Sequence, residues 1–188
     1  MFDRITLWYN YSMSKIHFET KLFKINSKTI LLLPKNISFK LPSRGMTYVK
    51  GTINNFPFQA ALEPDGRGSH WLKIDQAMSK VINASVGDVV TLEIESSKEW
   101  SEPKVPEDLK IALKSALQAD QLWQNITSMA RWDWIRFINS TKVAETRKRR
   151  IEVTLSKLNK GEKRPCCFNR SLCCDPSVSK NGVLLESN

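Results

Sequence analysis

Histidine is almost absent from this 188-residue chain, which has only His17 and His70. His17 falls in an alternating stretch that reads as a strand, so no Ser/His/Asp or Cys/His constellation can be argued. Glycine is also sparse, at seven residues, and none stands in the GxGxxG or P-loop spacing that cradles phosphates. No stretch approaches the roughly 18 uninterrupted apolar residues of a membrane span. The opening MFDRITLWYNYSMSKIHFET lacks the basic start, apolar middle and small-residue cleavage site of a signal peptide. The expected compartment is therefore the cytoplasm, and no cofactor is expected. No internal repeat or low-complexity array stands out.

Cysteine is confined to one short stretch, CCFNRSLCC, as Cys166, Cys167, Cys173 and Cys174. All four can reach one soft metal ion, but the spacing is not the paired CxxC of zinc knuckles and ribbons. In a reducing cytoplasm, four free thiols in a flexible tail is the plainer expectation, with metal or redox function the alternative.

What is present suffices for one ordinary domain or two small ones, with 41% hydrophobic and 26% charged residues. The formal net charge is +10, which suggests nucleic acid, anionic lipid or another acidic partner. Most of the excess is local, since residues 142 to 170 hold ten Lys or Arg against three acids.

From Lys15 the pattern has period two. Ile16, Phe18, Thr20 and Leu22 alternate with polar residues, TILLLP reads as a buried strand ended by Pro34, and Ile37, Phe39 and Leu41 alternate in a further strand. TYVKGTINNFPFQAAL predicts two strands about Asn54 and Asn55, which tolerate the positive φ of a tight hairpin. HWLKI is a short strand, Asp75 can cap a short helix, and a turn at Gly87 and Asp88 leads to a last strand. Many short strands with one helix imply a small β-barrel. Beyond SSKEWSEPKV the period becomes helical. Pro106 suits a first helical position, Asp120 can cap a second helix, Trp134, Phe137 and Ile138 mark a third, and Ile151, Leu155 and Leu158 stripe a fourth that Gly161 ends. The expected class is α+β. A possible upstream extension over residues 1–13 precedes a barrel over 14–96, since Met13 is a plausible alternative start. A linker over 97–104, a helical bundle over 105–165 and a flexible Cys-containing tail over 166–188 complete the chain.

These residues carry a family resemblance. VKGTINNFPFQAALEPDGRGSHWLKIDQAMSKVINASVGDVVTLEIE resembles the bacterial DUF1905 domain. VPEDLKIAL with ARWDWIRFINSTKVAETRKRRIEVTLSKLNKGEKRP resembles the YdeI or OmpD-associated domain, linked by name to bacteriocin protection. The resemblance implies a split barrel in the first part. It also implies a non-enzymatic binding or accessory protein connected with tolerance of bacteriocins or antimicrobial peptides, and it offers no catalytic motif to carry over.

Three groups of residues are candidates for binding. SRGM and PDGRGSHW place Arg44, Arg67, His70 and Trp71 on or beside barrel loops, where a guanidinium and backbone amides suit a phosphate or carboxylate. Arg147, Arg150, Lys157, Lys160, Lys163 and Arg164 suit phosphate neutralisation by a nucleic-acid-binding regulator. The plainer account is a docked helix whose wet face is partly self-paired, Glu145 with Arg149 and Lys148 with Glu152. Trp132, off the clearest apolar stripe, is with Arg131 and Arg136 the best candidate for an exposed aromatic contact. The partner is then an unknown anionic or protein molecule, nucleic acid included. A small-anion binder or enzyme using the barrel loops is the remaining alternative. Direct capture of cationic peptides by the basic segment is electrostatically unattractive.

Overall fold

A computed structural model describes residues 15–141, 143–165, 177–179 and 182–186. Its first part is a closed barrel of β1 (Ile16–Ile25), β2 (Lys28–Leu32), β3 (Thr47–Ile53), β4 (Phe56–Pro64), β5 (His70–Ile74) and β6 (Val89–Ser96), in the order β1-β2-β5-β4-β3-β6. All its ladders are antiparallel. Alternation drives this closure, because the inward set, including Leu22, Leu31, Val49, Leu62, Leu72 and Leu92, forms one buried core. The β3–β4 turn uses positive φ at both Asn54 and Asn55, 47° and 67°, as a two-residue hairpin turn requires. Gly51 marks where β3 crosses β6 most closely: a Cβ there would lie 1.9 Å from the Glu93 carbonyl oxygen.

The ladders differ in length. β3 pairs with β4 over seven residues, from Thr47↔Leu62 to Ile53↔Phe56, whereas β4 meets β5 only at Glu63↔Trp71 and Pro64↔His70. Beyond the Glu63 pair the two strands part, leaving a seam in the barrel wall. Asp75 caps α2 (Gln76–Val81), its carboxylate accepting from the Met78 N–H at 2.8 Å, which brings Met78 against the barrel core.

Residues 37–41 correct the strand expected there. They begin in α1 (Lys35–Ser38), where the Ile37 and Ser38 amides both donate to the Pro34 carbonyl. Ile37 and Leu41 are buried four residues apart, while Phe39 is 66% exposed. The apparent period of two was the i, i+4 face of a single helical turn.

The helical part comprises α3 (Glu107–Lys114), α4 (Leu117–Asn125), α5 (Ser128–Asn139) and α6 (Ala144–Asn159), packed around Leu109, Leu113, Trp123, Trp134, Ile138 and Leu158. Pro106 precedes the first helical residue, as its N-cap. Asp120 caps nothing: α4 starts earlier, at Leu117, so that Ala119 and Trp123 share its buried face, and Asp120 lies in its first turn. There its charge complements the helix dipole.

Residues 97–104 are fastened to both parts. The Ser97 amide donates to the Tyr48 carbonyl, Trp100 packs on Tyr48 with ring centroids 5.1 Å apart, and the Trp132 indole N–H donates to the Ser101 carbonyl at 2.9 Å. Part of the tail expected to be flexible is likewise docked. Val178 bridges Leu184, the Leu184 amide donates to the Asp65 carbonyl, and Leu184 is buried against Ile25, Ile30 and Trp71. Gly66, at φ 75°, accepts this crossing because a Cβ would stand 2.8 Å from the Gly182 carbonyl oxygen. Cys166, Cys167, Cys173 and Cys174 lie outside the described residues, as do residues 1–13.

Candidate binding cleft

The seam between β4 and β5 opens into a cleft of about 390 Å³ whose opposite wall is α5. This is within the range of about 300–1,000 Å³ usual for ligand pockets. Ala61 and Glu63 come from β4, Trp71 from β5, Met78 from α2, and Trp132 and Arg136 from α5. Helical periodicity explains the α5 contribution, since residues 132 and 136 stand one turn apart on one side of a helix whose other side buries Trp134 and Ile138. Met46 and Met78 add two adaptable thioethers to the wall, and Val178 and Gly182 of the docked C-terminal segment stand at its edge.

An ion pair crosses the cleft. Arg136 Nε and Nη2 both donate to Glu63 Oε2, at 3.1 and 2.8 Å, joining α5 to β4. Asp75 and Lys73 also line the cleft. Among the described residues its lining holds two acids and two bases, a local balance in a strongly cationic protein.

Of the four barrel residues singled out by sequence, the structure brings Arg44 and His70 together. His70 is fully buried. Its Nε2–H donates to the Gly45 carbonyl at 2.7 Å, so Nδ1 is the acceptor of the neutral ring, and the Ser38 hydroxyl donates to it at 2.7 Å. Arg44 donates to Ser38 Oγ at 3.2 Å, to the Ser38 carbonyl, and to the Leu41 carbonyl at 2.9 Å, with its guanidinium 5.1 Å from the Phe39 ring centroid. These groups therefore knit the segment after Pro34 onto β5. Burial pulls the His70 pKa below its ordinary 6.5, the Gly45 bond opposing and the nearby Arg44 charge reinforcing the shift. Arg67 is apart from them, paired with Glu186 at 3.0 Å. Trp71 is shared between the cleft wall and the apolar patch beneath Leu184.

The basic segment is mostly spent on the fold. Arg147 holds Asp108 of α3 through Nε at 2.5 Å and Nη2 at 3.0 Å, and also reaches Asn139. That contact keeps the Asp108 carboxyl below its usual range and raises Arg147. Arg150 donates to the Phe137 carbonyl at 2.8 Å and to Ser140 Oγ at 2.6 Å. Lys157 pairs with Glu162 at 2.7 Å, and Arg164 stands 3.6 Å from Asp133. Lys160 and Lys163 are exposed. The ion pairs expected within α6, Glu145 with Arg149 and Lys148 with Glu152, are not among those of the described residues. The cations nearest the buried stripe instead reach across to α3 and α5, where a partner is held more rigidly. Arg131 closes the end of α4, donating to the Trp123 and Gln124 carbonyls at 3.0 and 2.8 Å and pairing with Glu102.

Trp71, from the barrel-loop group, and Trp132 with Arg136, from the expected aromatic contact, are thus gathered in one cleft. Sequence reasoning passed over Glu63, Ala61 and the two methionines. The one available signal was the FPFQAALEP run, whose alternation weakens at Ala60 and Ala61, where small side chains leave room.

Comparison with known families agrees with this division. Residues 18–94 match DUF1905, a domain of unknown function, and residues 102–161 match the family described as Bacteriocin-protection, YdeI or OmpD-Associated. No curated protein matches the chain. The barrel therefore coincides with a match to the DUF1905 model and the helical part with a match to the YdeI/OmpD-associated model, in that order along the chain.

Proposed function

We propose that this is a non-enzymatic cytoplasmic binding protein that takes its ligand in the cleft between barrel and helices, and that this capture underlies tolerance of bacteriocins or antimicrobial peptides. One observation carries the reading. The cleft is where the two family domains meet, and it combines an apolar lining with a charge-balanced rim. That balance removes the electrostatic objection to a cationic ligand at this place, although the remaining surface repels it at long range. The test is the growth of a sensitive bacterial host under a cationic amphipathic peptide, with and without the protein. Ala61→Trp, which fills the cleft from an outward-facing position, serves as the comparison. The wild type is expected to raise the inhibitory concentration and the filled variant to abolish the gain. Equal protection by a folded Ala61→Trp protein, or none by the wild type, would sink the reading.

A second reading rests on Lys148, Arg149, Lys160 and Lys163, which are exposed in and just after α6. They make a nucleic-acid footprint for a regulator. Anisotropy with labelled duplex across a salt series decides it: binding that falls steeply with salt and disappears when the four become Gln supports it, and absence of binding at low salt removes it.

A further inference from the structure

The seam has a chemistry of its own, and it sharpens the cleft reading on which it rests. In β3 the Tyr48 carbonyl accepts from Ser97, and the Asn54 amide just beyond donates to Thr91, so even-numbered residues there address β6 and odd-numbered ones address β4. Val49 stands opposite Ala60. Phe58, Ala60 and Leu62 therefore bond β3, and the backbone groups of Gln59, Ala61 and Glu63 point the other way, towards β5. Glu63 meets Trp71 there, but on this side Ala61 and Gln59 have no ladder partner among the described residues. The same parity on β5, fixed by the His70 carbonyl accepting from Leu33, turns the Lys73 backbone towards the seam. Ala61 is only partly buried and Gln59 and Lys73 are exposed. Among the described residues nothing pairs with this strand edge, which lines the cleft.

We propose that the cleft binds an extended peptide segment as an added strand, its backbone pairing with Gln59 and Ala61 of β4. Alternate side chains would enter the space between Met78 and Trp132, and a basic side chain would meet the acidic groups of Glu63 and Asp75. A free strand edge recognises backbone amides and carbonyls, and pockets beside it select side chains at every second position. The chain itself supplies a precedent at the same edge. One residue past the end of β4, the Asp65 carbonyl accepts from the Leu184 amide of the C-terminal segment, and that segment continues to the cleft's edge at Gly182. Pairing through the backbone tolerates many sequences, which suits a protein that meets peptides of varied composition.

The test uses a fluorescein-labelled octapeptide of alternating valine and lysine with the full chain. Saturable binding is expected. N-methylation of alternate peptide bonds on the pairing edge removes donors without changing side chains, and is expected to weaken binding about tenfold or more. Ala61→Pro removes the seam-facing N–H and spares the β3 ladder, so a similar loss with an unchanged thermal melt is expected. Ala61→Trp should block both peptide forms. If the N-methylated peptide or the Ala61→Pro protein binds as well as its parent, strand pairing is wrong. If that binding is still blocked by Ala61→Trp, the cleft reading stands without it. If the octapeptide does not bind at all, the strand inference falls, and the cleft reading is judged by the growth assay alone. A dimer that Ala61→Pro dissociates would place a second copy of the chain in the seam and overturn the assignment to a free peptide.

Discussion

The β3 side and the β5 side of β4 carry the same strand in opposite circumstances. Towards β3 every residue from Phe56 to Leu62 has a cross-strand partner, and the adjoining β3–β6 crossing is so tight that only glycine fits at residue 51. Towards β5 two pairs hold, and the rest has no strand partner among the described residues. A closed barrel need not be closed evenly. One flank can concentrate stability while the other keeps unpaired backbone at a site, and the contrast within one strand separates the two roles more clearly than a comparison of the two domains.

Substitutions on the two flanks should therefore differ in size. Gly51→Ala forces a Cβ into the Glu93 carbonyl and is expected to cost about 3 kcal/mol or more in urea denaturation, as large overpacking effects do. A cost near zero would mean that the closed flank can give way. Ser38→Ala removes the donor to His70 Nδ1 and one of Arg44's acceptors inside the buried network, at about 2 kcal/mol. The same network sets a pH dependence. With the folded pKa of His70 below 6.5, the unfolded chain takes up a proton first. This contribution to stability is complete above about pH 6.5 and is lost as pH falls through that value towards the folded pKa. The melting temperature should decline over that interval, and His70→Gln should flatten the decline. Across the cleft, the double-mutant cycle of Glu63→Gln and Arg136→Gln is expected to give a coupling below about 1 kcal/mol, because both groups remain partly in water. Smallest is Ala61→Pro, near zero by denaturation, against about 3 kcal/mol for Ala60→Pro, whose amide serves the β3 ladder. Equal costs at 60 and 61 would erase the distinction between the flanks.

Much of the architecture was legible in the chain itself. The Asn54–Asn55 turn, the Asp75 cap and the Gly161 stop act through their immediate neighbours, so local chemistry predicts them. The residues at 37–41 misled because burial at i and i+4 produces the same apolar spacing as two strand steps. α4 began before its expected cap because packing of Ala119 and Trp123 outweighed the capping preference of Asp120. The α6 cations were legible as helical, but their partners Asp108 and Ser140 lie on other elements, and no spacing rule reaches them. The cleft was the least legible feature: Glu63 and Arg136 are separated by 73 positions, and the open edge exists only because β4 and β5 diverge. Leu184 fell within the stretch expected to be a flexible Cys-containing tail. Its site on the barrel appears only once Ile25, Ile30 and Trp71 have been brought together.

The docking of that segment has a consequence for how the protein is made. Arg67 and Glu186 are 119 positions apart, and the intervening chain includes every residue of the helical part. During synthesis the barrel strands leave the ribosome first, yet the patch around Trp71 stays uncovered until the four helices and the residues after them have followed. The domain begun first is completed last, so its slowest native contacts should form only after the second domain exists. A stalled or prematurely ended chain would thus expose the Trp71 patch, a state open to chaperones that the finished protein hides.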